Sequence, residues 1–139
     1  MNNEQDILSY IPQRPPFVFV DSLLHASEEQ VRTAFTVTEG TPLVFNGLLS
    51  MAGLMEHAAQ TCAVRAGWIQ QARQQAIRIG YIGAIKHMQS TRLPRVAERL
   101  ETEAKVVQEV ANISMLDCTT YVNNEPICQT TIKLALVEE

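Results

Sequence analysis

An acid and an amide lie four residues apart in a segment whose other side chains are mostly small or apolar. If residues 50–74 form a helix with Ser50 as its N-cap, Glu56 and Gln60 lie about 40° apart on one face. A carboxylate on a largely buried helix is costly unless it is paired, and perturbed acids cluster at active sites. The spacing therefore predicts Glu56 as a catalytic acid or base, with Gln60 beside it.

The rest of this helix face is made of small residues: Ala52, Gly53, Ala59, Ala63 and Gly67. One interpretation is a thin channel for a pantetheine arm or acyl chain, lined by Gly53 and Ala63. The alternative is that small residues let another element approach closely, with Glu56 bonded to a backbone N–H. The channel is the preferred interpretation, because a carboxylate on a largely buried helix is costly and such acids cluster at active sites. His57, about 100° round the helix from Glu56, is interpreted as a structural residue.

The elements that position these residues follow from hydrophobic periodicity. Strands are predicted at 17–24 and 30–38, before the helix. Four more are predicted after it, at 79–89, 98–107, 109–122 and 126–137, with a tight turn at Asn123-Asn124. The order predicts an α+β fold, in which a curved antiparallel sheet wraps around one long central helix in a single domain, residues 1–139.

Composition excludes several classes of function. Apolar residues make up 46% and charged residues 19%, and no apolar run approaches the roughly 20 residues of a membrane span. The polar N-terminus is neither a signal nor a transit peptide, so a cytoplasmic protein is expected. A net charge of −4 argues against nucleic-acid binding. The three cysteines are interpreted as buried hydrophobes, and no spacing resembles a metal site.

Basic residues are concentrated in the middle of the chain. Residues 57–97 contain six bases and no acid, whereas residues 1–56 contain seven acids and two bases. Lys86, Arg92 and Arg95 are the candidates for contact with an acidic partner or a phosphate-bearing ligand. Chance and solvated faces are the alternative, and the pattern leaves both open.

Two motifs resemble a known family. Residues 11–21 read Ile-Pro-Gln-Arg-Pro-Pro-Phe-Val-Phe-Val-Asp. They resemble the N-terminal signature of the β-hydroxyacyl-ACP dehydratases, Leu-Pro-His-Arg-x-Pro-Phe followed by apolar residues and Asp. Residues 54–60, Leu-Met-Glu-His-Ala-Ala-Gln, are similar to the helix motif of that family, apolar-apolar-Glu-Ala-x-Ala-Gln.

The resemblance implies a hot-dog fold, built as homodimers or higher homo-oligomers with sites at the subunit interface. It implies a substrate carried on the phosphopantetheine of acyl carrier protein (ACP) or of CoA, and no cofactor of the protein's own. Glu56 matches the family's catalytic acid, and Gln60 matches the amide one turn later. An acidic carrier would give the basic middle segment a purpose.

One departure concerns the loop before the helix. The family's catalytic His lies there in Gly-His-Phe-Pro, whereas residues 41–50 read Thr-Pro-Leu-Val-Phe-Asn-Gly-Leu-Leu-Ser. Dehydration needs a base at C2 and an acid at the C3 hydroxyl, so one of two groups is missing. The loop also resembles divergent dehydratase-like proteins of bacterial aryl-polyene and flexirubin-type pigment clusters.

Three functions are compatible with these motifs. The first is a dehydratase-like protein acting on 3-hydroxyacyl-ACP in fatty-acid or polyene and pigment biosynthesis. Asn46, Gln60 and backbone N–H groups at the helix start would hold the thioester carbonyl. The second is a hot-dog acyl thioesterase, in which Glu56 activates water and Asn46-Gly47 polarises the carbonyl. The third is a non-catalytic acyl-ACP-binding subunit, which the missing His favours.

Overall fold

One long helix is enclosed by a curved sheet. The computed structural model describes residues 7–74 and 79–137. In chain order the elements are β1 (Ser22–Ala26), β2 (Gln30–Thr36), β3 (Val44–Phe45), β4 (Leu48–Leu49), α1 (Met51–Ala72), β5 (Ile79–Ser90), β6 (Arg99–Val110), β7 (Ile113–Val122) and β8 (Glu125–Val137).

Helix α1 begins where the sequence predicts it. The Ser50 side chain accepts a hydrogen bond from the backbone N–H of Gly53 at 3.3 Å, which satisfies one of the free donors of the first turn. The helix ends at Ala72, two residues before the predicted end. Side chains in its first half are buried on more than one face, since Leu54, His57 and Ala58 all lie in the interior.

The sheet holds six antiparallel strands in the order β1-β2-β6-β7-β8-β5. Helix α1 contacts every one of them, so the sheet curves around it. Alternate residues of each strand face the helix, as in β7, where the buried positions are Ser114, Leu116, Cys118, Thr120 and Val122. The predicted α+β architecture is confirmed, and the main core lies between the helix and the concave face.

The first strand is shorter than predicted. A strand was expected at 17–24, but it runs from Ser22 to Ala26, and residues 17–21 lie outside the sheet. The backbone of Phe19 is bound by helix side chains: its N–H donates to Gln60 Oε1 at 2.7 Å, and its carbonyl lies 2.6 Å from His57 Nδ1. Because these two peptide groups already have hydrogen-bond partners on the helix, they do not pair with a neighbouring strand.

Two tight turns follow their residue types. Asn123 and Asn124, with φ of 51° and 66°, join β7 to β8 as predicted. Residues 39–49 were expected to be a plain loop, but they contain the small hairpin β3–β4. Its turn is Asn46-Gly47, with φ of 56° and 75°, the pair of left-handed residues that a two-residue hairpin favours.

The cysteines are free and buried, as predicted. A fixed hairpin register would put Cys118 and Cys128 on opposite faces of the sheet, but both face inward. The pairing shifts between Thr120 and Tyr121, so that Thr120 lies opposite Cys128. A bulge of this kind moves every later residue to the other face.

Candidate functional site

Glu56 and Gln60 meet as their spacing predicts. Gln60 Nε2 donates to Glu56 Oε2 at 2.8 Å. Gln60 is 1% exposed, whereas Glu56 is only half-buried, so the amide is fixed and the carboxylate is reachable. Among residues 7–74 and 79–137, Gln60 is the group that hydrogen-bonds this carboxylate. Its other oxygen therefore remains available for exchanging a proton with a bound molecule.

Gln60 holds the carboxylate and has no donor left for a substrate. The Nε2 group also donates to the carbonyl of Phe17 at 3.2 Å, and Oε1 accepts from the N–H of Phe19. Both amide hydrogens and the carbonyl oxygen are thus engaged. In this geometry the Gln60 amide orients Glu56, and its predicted role in binding the substrate stays a prediction.

Glu56 lies on the side of α1 that the sheet leaves uncovered. Met51 and Ala52 are exposed in the first turn, and Met55, Glu56 and Ala59 are half-buried along the same side. Leu54, Ala58 and Cys62 point the other way and are buried against the sheet. The acid is thus approachable from solvent within one subunit, along a strip of apolar side chains.

The predicted channel through the small-residue face is occluded. A Cβ on Gly53 would collide with the side chain of Leu49, and one on Gly67 would collide with the backbone carbonyl of Tyr10. Gly53 therefore lines no open channel in the subunit, and its contact with substrate stays a prediction. Ala63 lines a space of about 30 Å³, enough for one water and too small for an acyl chain.

The Asn46-Gly47 pair is explained by its hairpin turn. Both residues are exposed and have left-handed φ angles, and the carbonyl of Gly47 accepts from the N–H of Val96 at 3.0 Å. Within the described ranges, no hydrogen bond joins Asn46 to Glu56 or Gln60. Their role at a thioester carbonyl stays a prediction.

His57, interpreted from the sequence as structural, is fully buried and is bonded through both ring nitrogens. Nδ1 lies 2.6 Å from the carbonyl of Phe19, and Nε2 lies 2.8 Å from Thr102 Oγ1. Burial lowers the pKa of His57 to about 4, against the weaker opposing effect of the Phe19 hydrogen bond. A neutral ring with both nitrogens occupied is not a free base. His25 and His87 are exposed on β1 and β5, the two edges of the sheet.

The basic residues do not form one free patch. Arg65 is 3% exposed and donates to the carbonyl of Glu28 and to Glu109, and Arg73 pairs with Glu28. Arg78 lies outside the described residues. In consequence, part of the basic segment belongs to structural ion pairs near the C-terminal half of α1.

Of the three candidates for partner contact, Arg92 is already bound. Its guanidinium grips Glu98 through two hydrogen bonds of 2.8 and 3.0 Å, and that contact lowers the pKa of Glu98 to about 2. Arg92 is therefore engaged within the subunit, and its contact with an acidic partner stays a prediction. Lys86 and Arg95 are exposed, and within the part of the chain described neither forms an ion pair.

A polar cavity at the far end of α1 was missed. It measures about 280 Å³, and Arg65, Gln70, Glu109 and Ser114 contribute to its wall. Its polar groups are bonded to one another: Glu109 accepts from Arg65 and from Ser114, and these contacts outweigh desolvation to lower the Glu109 pKa. In the sequence, the one indication of this cavity was a charged residue, Arg65, inside an apolar helical stretch.

The described ranges contain neither a candidate metal site nor a candidate membrane span. No cluster of three or more His, Cys, Asp or Glu side chains is placed to hold a metal ion there. No helix in those ranges is long and apolar enough to cross a membrane.

The arrangement of one helix in a curved antiparallel sheet is a hot-dog fold, and solved structures agree. One chain of the dehydratase heterocomplex ApeI:P from Xenorhabdus doucetiae superimposes with a TM-score of 0.83 at 15% identity, covering 96% of this chain and 91% of that one. A hypothetical thioesterase with coenzyme A from Streptococcus pneumoniae gives 0.69 at 10% identity, covering 85% and 86%. At such identities these likenesses establish the fold.

The family is established by sequence. The model of the ApeP-like family, described as ApeP dehydratase, matches residues 5–138, and the chain belongs to this family. Two 3-hydroxyacyl-(acyl-carrier-protein) dehydratases named FabZ are also similar over the whole chain. The one from Clostridioides difficile is 27% identical with all of both chains covered, and the one from Bacillus cytotoxicus is 26% identical with 99% of it covered. The expected divergent, dehydratase-like hot-dog protein is confirmed.

Proposed function

We propose that this chain takes part in the dehydration of a 3-hydroxyacyl thioester carried on the phosphopantetheine of a cytosolic acyl carrier protein, with Glu56 as its acid/base group. The observation that carries the proposal is the half-buried Glu56 carboxylate, held by Gln60 on the open side of α1. Membership of a dehydratase family and likeness to two 3-hydroxyacyl-ACP dehydratases support the choice of substrate.

The chemistry requires two proton movements. A base removes a proton from C2, the C2–C3 double bond forms, and the C3 hydroxyl leaves as water after receiving a proton. The Glu56 carboxylate accepts the C2 proton through the oxygen that Gln60 does not bind. The hydroxyl takes its proton either from the same carboxyl group or from a second acid beside it.

A second hot-dog chain supplies that acid in our proposal. Strand β5 is an edge of the sheet, and Tyr81 and Ile82 on it are 56% and 40% exposed, the kind of edge that pairs with another chain. The similar Xenorhabdus doucetiae chain comes from the dehydratase heterocomplex ApeI:P. A homodimer or a heterodimer would both cover the open side of α1 and shield Glu56 from water.

The test is turnover of 3-hydroxyacyl-ACP by the purified protein, alone and after co-expression with a second hot-dog chain from the same organism. Mass spectrometry of the carrier should show loss of one water. Glu56→Gln should lower the rate at least about a hundredfold. Glu39→Gln, an exposed acid in the loop before β3, is the matched control and should keep it.

Other products would overturn the proposal in different ways. Release of free carrier thiol, lost in Glu56→Gln, would make the protein a thioesterase. The protein would be a non-catalytic binding subunit under two conditions. Glu56→Gln would still bind acyl-ACP, and the two chains together would form no product whose yield depends on Glu56.

A further inference from the structure

Both peptide groups of Phe19 are held by side chains of α1. Its N–H donates to Gln60 Oε1 at 2.7 Å, and its carbonyl lies 2.6 Å from His57 Nδ1. These partners are 41 and 38 residues away in the chain. A short extended segment is thereby fastened across the helix at the level of the candidate site.

The same amide links this fastening to the candidate acid. The N–H of Phe19 fixes which end of the Gln60 amide carries oxygen, so Nε2 must point to Glu56 Oε2 and to the carbonyl of Phe17. A chain of contacts thus runs from His57 through Phe19 and Gln60 to Glu56. Each contact in it is between 2.6 and 2.8 Å.

The His57 ring is itself held in place by neighbouring core residues. A carbonyl can only accept, so Nδ1 carries the hydrogen that it donates to Phe19, and in the neutral ring Nε2 accepts from the hydroxyl of Thr102. Thr102 is bonded in turn to Thr120 at 2.6 Å, and the His57 ring stacks on Phe35 with centroids 5.9 Å apart. The ring is fully buried, so its orientation is set by the core.

We propose that His57 is a positioning residue for Glu56, acting through the Phe19 peptide and the Gln60 amide. This rests on the proposed function, in which Glu56 is the acid/base group. The two ring nitrogens then have different purposes. The Nδ1–H contact to Phe19 orients the carboxylate, whereas the Nε2 contact to Thr102 only holds the ring. A merely structural histidine would need both contacts equally.

Two substitutions separate the nitrogens. Asparagine places an amide N–H where Nδ1 lies, and glutamine places one near the position of Nε2. His57→Asn keeps the donor to Phe19 and loses the Thr102 contact, whereas His57→Gln does the reverse. Each leaves one buried group unpaired, so both variants lose similar amounts of stability.

Catalysis should distinguish these two variants. With the dimeric enzyme at a temperature where both variants are folded, kcat should stay within about threefold in His57→Asn and fall tenfold or more in His57→Gln, with little change in KM. Thr33→Val is the control. It breaks the buried 2.8 Å contact between Thr33 on β2 and Thr61 on α1 and leaves the contacts of Phe19 intact. It should leave kcat unchanged.

A second readout needs no substrate. In isotope-labelled protein, hydrogen exchange of the Phe19 amide and the chemical shifts of the Gln60 side-chain amide should be native-like in His57→Asn and altered in His57→Gln. Native-like values in both variants overturn the positioning role, as does an equal kcat in both. If the wild type turns over no thioester, the proposed function fails, while the NMR comparison still decides whether His57 orients Gln60.

Discussion

Leu49 fills the space in which a Cβ of Gly53 would lie. Fourteen residues further along the same helix, the backbone carbonyl of Tyr10 fills the equivalent space beside Gly67. The small residues of α1 thus serve close packing, the alternative to a channel. In the proposed function, a substrate would instead reach Glu56 along the uncovered side of the helix, past Met51 and Met55.

This packing predicts that Gly67→Ala destabilises the protein. Alanine in a helix gains roughly 1 kcal/mol over glycine, but overpacking costs about 1–3 kcal/mol, and the obstacle here is backbone that cannot rotate away. Since a backbone obstacle puts the overpacking cost in the upper part of that range, we expect the free energy of unfolding in urea to fall by about 1–2 kcal/mol after the helix gain is subtracted. Gly40→Ala is the control, because nothing lies within 4 Å of its Cβ position. A stabilised Gly67→Ala would mean that Tyr10 does not contact the helix.

The sequence predicts what depends on local pattern and misses what depends on distant partners. Ser50 and Asn123-Asn124 mark a helix start and a turn through their own backbone bonding and φ angles, and both were predicted correctly. The run 17–21 is aromatic and β-branched, which indicates a strand. It lies outside the sheet because His57 and Gln60 bind Phe19, which no local pattern reveals.

In the candidate site, too, the features set by local spacing were predictable and those set by distant residues were not. The pairing of Glu56 with Gln60 follows from helical spacing alone. That Gln60 has no free donor depends on Phe17 and Phe19, some 40 residues earlier in the chain. The partner of Arg92 could not be predicted either, because Glu98 reaches it through a loop whose course the sequence does not specify.

Arg65 should be far more important to stability than Arg73, although both pair with acids near the same cavity. Arg65 is 3% exposed and binds the carbonyl of Glu28, whereas the Arg73 side chain is 55% exposed. Arg65→Ala leaves a buried acceptor unpaired and should cost about 2–4 kcal/mol in the free energy of unfolding. Arg73→Ala should cost less than about 1 kcal/mol. Equal costs, measured by urea denaturation, would show that the buried contact contributes no more than the surface pair.

Protonation of His57 should make the protein sensitive to mild acid. Its pKa is lowered from 6.5 to about 4 by burial, so between these values the unfolded chain binds a proton that the folded chain does not. Stability from the neutral ring is complete above pH 6.5 and is lost as the pH falls toward 4, by about 3 kcal/mol in total. The thermal midpoint of the wild type should therefore drop faster over this range than that of His57→Asn. Parallel curves for the two proteins would contradict the buried neutral ring.

An acidic carrier protein should dock against Lys86 and Arg95, two exposed cations that form no ion pair in the described part of the chain. Lys86→Glu and Arg95→Glu should each weaken acyl-ACP binding about 3- to 10-fold at low salt, with a smaller effect at high salt. Lys105→Glu makes the same change in net charge on β6, where Lys105 pairs with Glu103, and should have little effect. Calorimetry at two salt concentrations measures all three. An equal loss in Lys105→Glu would assign the effect to total charge.

Arg92→Glu is not an equivalent probe, because it breaks the contact with Glu98 and places two acids together, so its main effect should be on stability.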